Sequence, residues 1–117
     1  MTQTPDTGDF LQRWRGDVLT VTLRLDSPRK GRAAFRTNIG RARVRRREII
    51  ADTERGETPL AKAWTDIPLP EVAPGVFQAE IPLDEVGIFS GKACFFPEGS
   101  NVPEWPEGTN THIKVET

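Results

Sequence analysis

A chain of 117 residues with 16 Lys and Arg against 17 Asp and Glu has a net charge of -1. It is the size of one globular domain, and that balance points to neither a nucleic-acid nor a membrane-surface protein. One cysteine, Cys94, excludes an internal disulfide, and one histidine, His112, removes the usual members of a metal site, so no cofactor is implied. The polar start from Met1 to Asp9 lacks a secretory pattern, and no stretch approaches the about 20 apolar residues of a membrane helix. The expectation is a cytoplasmic protein with no membrane segment, a loosely held segment at 1–16 and one domain at 17–117.

Strand patterns dominate the chain. From Asp17 to Leu25, Leu19, Val21, Leu23 and Leu25 alternate with Thr20, Thr22 and Arg24, the period of a half-buried strand. Asp26, Ser27, Pro28 and Gly31 then make a turn before a second strand at Arg32 to Thr37, with Ala33, Phe35 and Thr37 on one side. Asn38 as N-cap and Gly56 as stop bracket an expected short helix from Ile39 to Arg55, with Ile39, Ala42, Ile49, Ile50 and Thr53 on one face. Against it, Arg41 to Arg45 alternate as a strand would.

Trp64 to Leu69 and Val76 to Leu83 read as a further pair, separated by Pro70, Pro74 and Gly75, where Pro removes a ladder donor and Gly allows a positive φ. Val76 to Leu83 followed by Gly87 and Phe89 to Phe96 reads as a strand, a tight turn and a returning strand; His112 to Glu116 closes the set. The expected fold is all-β: an immunoglobulin-like antiparallel β-sandwich with one short inserted helix.

Charge divides unevenly along the chain. Residues 1–55 hold 13 basic and 7 acidic side chains, and residues 56–117 hold 3 basic and 10 acidic. Opposite halves can pair within one fold or dock other molecules. Arg41, Arg43, Arg45, Arg46 and Arg47 gather five guanidinium groups, a candidate interaction patch. On a helix they spread around the circumference within reach of Glu48, Asp52 and Glu54, and no aromatic lies among them. Docking on an acidic face of a companion catalytic domain therefore outranks nucleic-acid binding, which is disfavoured.

The longest specific text runs Pro74-Gly75-Val76-Phe77-Gln78-Ala79-Glu80-Ile81-Pro82-Leu83, then Val86-Gly87-Ile88-Phe89-Ser90-Gly91-Lys92-Ala93-Cys94-Phe95-Phe96. It resembles the early-set β-sandwich domains at the N-termini of glycogen debranching enzymes and related family 13 glycoside hydrolases. Arg36-Thr37-Asn38-Ile39-Gly40-Arg41-Ala42 and Trp64-Thr65-Asp66-Ile67-Pro68-Leu69 are similar to the same domain, and the resemblance covers about residues 17–116. It implies a non-catalytic accessory domain, with α-glucan and a catalytic domain of the same chain as partners. The end of the sequence just after an apparent strand, at Ile113 to Thr117, agrees with an excised domain. The alternative is a purely structural domain that packs on a catalytic domain or on a second copy as a homo-oligomer.

Catalytic constellations are weak. Asp84 with Glu85 and Glu104 with Glu107 are paired carboxylates of the kind glycosidases use, yet loop carboxylates are mostly solvated surface. Cys94, among Ala93, Phe95 and Phe96, reads as a buried inert thiol whose only available base is His112. Sugar binding is the stronger candidate, because a hexose offers an apolar face to a flat aromatic and hydroxyls to amides and cations. Trp64 and Trp105 are the candidate platforms, with Lys92 and Asn110 as hydroxyl partners. The competing reading packs Trp64 in the sandwich and leaves Trp105, bracketed by Pro103 and Pro106, pinning a loop.

Overall fold

A computed structural model describes residues 1–40 and 64–117. Among the described residues the chain is all-β, with nine strands and no helix. In order these are β1 (Thr2–Thr4), β2 (Phe10–Trp14), β3 (Val18–Arg24), β4 (Gly31–Thr37), β5 (Thr65–Leu69), β6 (Glu71–Ala73), β7 (Val76–Pro82), β8 (Gly87–Pro97) and β9 (Thr111–Glu116). They form two sheets, ordered β1-β3-β7-β6 and β2-β9-β8-β4-β5.

The alternation of the sequence decides which side of each strand is dry. Leu19, Val21 and Leu23 of β3 and Phe77 and Ile81 of β7 bury the inner face of the four-stranded sheet. Opposite them, Phe35 of β4, Leu69 of β5, Phe89, Ala93 and Phe95 of β8, and Ile113 and Val115 of β9 bury the inner face of the five-stranded sheet. Phe77 and Phe95 meet between the layers with ring centroids 5.7 Å apart in a tilted pair. Each such side chain contributes about 1.5–3 kcal/mol by leaving water. The result is sandwich-like.

Several connections differ from the sequence reading. Trp64 to Leu69 and Val76 to Leu83 do not pair: β5 lies beside β4 in one sheet, and β7 lies beside β3 in the other. The chain changes sheets at Pro70 and then turns tightly through Pro74 and Gly75, where Gly75 has a φ of 73°. Nor do β7 and β8 form a hairpin; they face one another across the core, in different sheets. Two half-buried strands can join edge to edge or face to face, and alternation is the same in both.

The segment at 1–16, expected to be loosely held, supplies one strand to each sheet. β1 pairs antiparallel with β3, and β2 pairs with β9 in parallel, so the larger sheet is mixed rather than purely antiparallel. Gln3 explains the order. It is buried, its Oε1 accepts the Ala93 N–H at 2.7 Å, and its Nε2 donates to Thr111 Oγ1 at 2.9 Å and to the Pro5 carbonyl at 2.7 Å.

Most of the expected helix, residues 41–55, lies outside the described residues, as do all five arginines of the Arg41–Arg47 patch. Its proposed cap is engaged elsewhere. Asn38 Oδ1 accepts the Ser90 N–H at 2.9 Å, while Ile39 and Gly40 form a turn. No helix among the described residues is long and apolar enough to cross a membrane.

Candidate functional site

The outer face of the five-stranded sheet carries the chemistry. Strand register places Arg32, Ala34 and Arg36 of β4 directly opposite Phe96, Cys94 and Lys92 of β8, with Asp66 of β5 opposite Arg36. Ala34, Cys94 and Phe96 form a small buried cluster on this face, separate from the core between the sheets. Burial, and secondarily the charge of Asp66, pushes the Cys94 thiol up to about 11, so at neutral pH it stays protonated and unreactive.

Trp105 folds back over this face. Glu104, its neighbour, is tied to β8 by two backbone hydrogen bonds, Phe95 N–H to the Glu104 carbonyl at 2.9 Å and Glu104 N–H to the Phe95 carbonyl at 2.7 Å. The indole is 38% exposed, neither sunk in the core nor fully in solvent. Lys92 Nζ stands 5.9 Å from its ring centroid and the Arg36 guanidinium carbon 5.4 Å, while the Arg32 guanidinium lies over Phe96 at 3.9 Å. Lys92 also donates to the Gly108 carbonyl at 2.5 Å.

Arg36 grips Asp66 with two hydrogen bonds of 2.8 and 3.0 Å. Those bonds hold the Asp66 carboxyl below its ordinary range and the Arg36 guanidinium above its own. Beside the indole opens a cleft of about 760 Å³, whose lining includes Thr2, Thr7, Asp26, Arg29, Glu104 and Trp105. Arg29 and Glu104 close part of it with a bidentate pair of 2.8 and 2.7 Å.

Of the residues singled out from the sequence, Lys92 and Trp105 are brought together. Asn110 is half-buried and sits one step past the Gly91–Thr111 pair, level with Lys92 along the two strands. Trp64 is half-buried immediately before β5, at the strand next to Arg36 rather than in the core. Glu104 is engaged by Arg29, whose hydrogen bond holds its carboxyl below the usual range, and Glu107 lines the same cleft. Asp84 and Glu85 border a smaller hollow of about 260 Å³.

Sequence reasoning missed Arg32 and Arg36. The signal was present in the alternation of β4, which sets them opposite Ala33 and Phe35, but their closeness to Lys92 and Trp105 needs the register. It also missed Ser90 Oγ at 2.8 Å from His112 Nδ1, a hydroxyl–imidazole pair on the same face. The Ser90 backbone N–H, which could otherwise steady an oxyanion, is spent on Asn38 Oδ1. Further along, Phe10, Trp14 and Ile88 stand 64%, 54% and 60% exposed, an apolar strip beside Lys114 and Glu116, which pair at 3.1 Å.

No protein-family model matches the chain, and a search of curated proteins found no match to it. Among the described residues no group of three or more His, Cys, Asp or Glu side chains is arranged to hold a metal ion.

Proposed function

We propose that this chain is a non-catalytic sugar-binding module, the accessory domain of an α-glucan-processing enzyme of the glycogen-debranching type. The observation that carries the reading is Trp105: a partly exposed indole, with Lys92 and Arg36 close to its ring, at the lip of a cleft lined by polar and apolar groups alike. A hexose needs that combination of flat apolar surface and surrounding hydrogen-bonding groups. In the same reading the sandwich is immunoglobulin-like and of the early-set kind. The strand order supports this, with β1 and β2 dividing the N-terminal segment between β3 and β9. The reading also puts the protein in the cytoplasm, where a reduced thiol such as Cys94 is ordinary.

Affinity electrophoresis through glycogen tests the proposal. Glycogen is expected to retard the protein, and Trp105→Ala to remove the retardation while leaving the melting temperature near wild type. A single aromatic platform supplies about 1–3 kcal/mol on the scale of base stacking, short of the about 4.1 kcal/mol of a millimolar complex, so hydrogen bonds from the cleft must add to it. Unretarded wild-type protein removes the proposal.

A second reading, docking on a catalytic domain or on another copy, is favoured by the exposed strip of Phe10, Trp14 and Ile88. Concentration-dependent self-association that Trp14→Glu abolishes, together with indifference to glycogen, is the outcome it expects.

A further inference from the structure

We propose that the chain pairs with a second copy of itself through the open edge of β2, antiparallel and in a register centred on Gln12. This rests on the docking reading above, to which it gives one partner and one geometry, and is independent of sugar binding.

A sheet edge offers backbone N–H and C=O groups to any extended chain, and folded proteins blunt their edges with short strands or proline. Among the described residues, three of the four edges are blunted in this way: β1 and β6 have three residues each, and β5 contains Pro68. β2 runs for five residues, Phe10-Leu11-Gln12-Arg13-Trp14, with neither proline nor glycine. It lies four strand spacings, about 19 Å, from β5, at the edge opposite the strands that lead into and out of residues 41–63.

In a parallel pair, alternate residues turn both backbone groups toward the same neighbour. His112 N–H donates to the Asp9 carbonyl at 2.8 Å and Arg15 N–H to the Glu116 carbonyl at 2.6 Å, so the odd-numbered residues of this stretch face β9. Phe10, Gln12 and Trp14 therefore turn theirs to the open edge. Trp14 N–H donates to Asp17 Oδ2 at 2.9 Å, and the Trp14 carbonyl accepts the Asp17 N–H at 3.0 Å. The Gln12 carbonyl accepts Arg13 Nη1 at 2.7 Å. Each carbonyl has a second lone pair, which can take an N–H from Phe10 or Gln12 of another copy. Asp17 ends the ladder just beyond Trp14.

The sequence of the edge selects the partner. A twofold axis at Gln12 sets Phe10 opposite Trp14 of the second copy and Asp9 opposite Arg15 of the second copy, each twice, in a closed pair. All four side chains are exposed in the single chain. Aromatic pairs and opposite charges directly across a ladder are stabilising, whereas like charges there are not. The neighbouring registers are poorer: Leu11 against Leu11 leaves Trp14 opposite Gly8, and Arg13 against Arg13 opposes two cations. The match lies within one stretch from Asp9 to Arg15, which favours a second copy over an unrelated chain.

Sedimentation velocity of the full chain over a concentration series, with cysteine cross-linking, tests the pairing. A reversible monomer–dimer equilibrium is expected. Asp9→Arg should weaken it at least about tenfold by placing like charges together, and Arg15→Asp should do the same. Asp9→Arg combined with Arg15→Asp should restore it, because the swapped charges again face each other. Gln12→Cys should yield a disulfide-linked dimer under mild oxidation, since directly opposite residues bring their Cα atoms to about 5.5 Å, while the native Cys94 is buried. Phe10→Cys and Trp14→Cys should each stay unlinked alone and link when mixed. The cross-links need no charge variant, so the test survives an Asp9 variant that folds poorly.

A monomer at every concentration, with no cross-link from Gln12→Cys, overturns the inference and leaves docking only to a catalytic domain. A dimer that Trp14→Glu abolishes but Asp9→Arg leaves intact, without the mixed cross-link, overturns this register and leaves the docking reading standing. A dimer indifferent to both variants overturns both.

Discussion

Gly91 has no side chain where the ring of Phe35 lies: a Cβ on Gly91 would come within 2.3 Å of Phe35 Cζ. The two strands approach there, Gly91 on β8 and Thr37 on β4 being register partners, and the ring of Phe35 fills the space a methyl would need. Gly91→Ala is therefore expected to destabilise the fold by about 1–3 kcal/mol despite the better strand propensity of alanine, because overpacking forces a fully buried ring off its rotamer. Urea unfolding measures it. Adding Phe35→Leu to Gly91→Ala should recover part of the loss, and a neutral Gly91→Ala would show that the ring yields freely.

Gln3 makes a prediction about the N-terminal segment. With its amide gone, the Ala93 N–H is left without its acceptor inside the sandwich, and Thr111 Oγ1 loses a donor. A buried group left unsatisfied costs about 1–3 kcal/mol, so Gln3→Met, similar in shape, should lower stability by about that amount. Hydrogen exchange at Ala93 should quicken in the same variant. An unchanged unfolding midpoint would mean that β1 is an accessory to the sheet rather than a part of it.

Gln3 also shows why the sequence was only partly legible. Leu19, Val21 and Leu23, and then Phe77 and Ile81, announce their strands by alternation, and burial follows that pattern. A polar residue near the start of the chain carries no such mark. Its burial is decided by Ala93 and Thr111, far along the sequence. Pairing was obscure for the same reason: the neighbours Leu69 and Val76 lie close in sequence but belong to different sheets. Trp105 and Lys92 could be chosen by residue type as sugar-binding groups, while Arg36 became visible only through its register with Lys92.

Cys94 supplies a third expectation. Its thiol is fully buried between Ala34 and Phe96, and burial raises it to about 11. An aromatic disulfide reagent at pH 8 should therefore label it no faster than the protein opens, and at once in denaturant. Rapid labelling of the native protein would place the thiol nearer the surface than the fold allows.

The pair of Arg36 and Asp66 makes the stability of the fold depend on pH. Because Arg36 holds the Asp66 carboxyl below its usual value of about 3.9, the folded state favours the ionised form. The stability it lends is complete above that ordinary value and fades as pH falls through the lower folded one. Both partners are more than a third exposed, 39% and 35%, so solvent screening limits the contribution to at most about 1 kcal/mol. Asp66→Asn should thus be slightly less stable than wild type at pH 7, with the gap closing as the pH is lowered toward 3 in thermal unfolding.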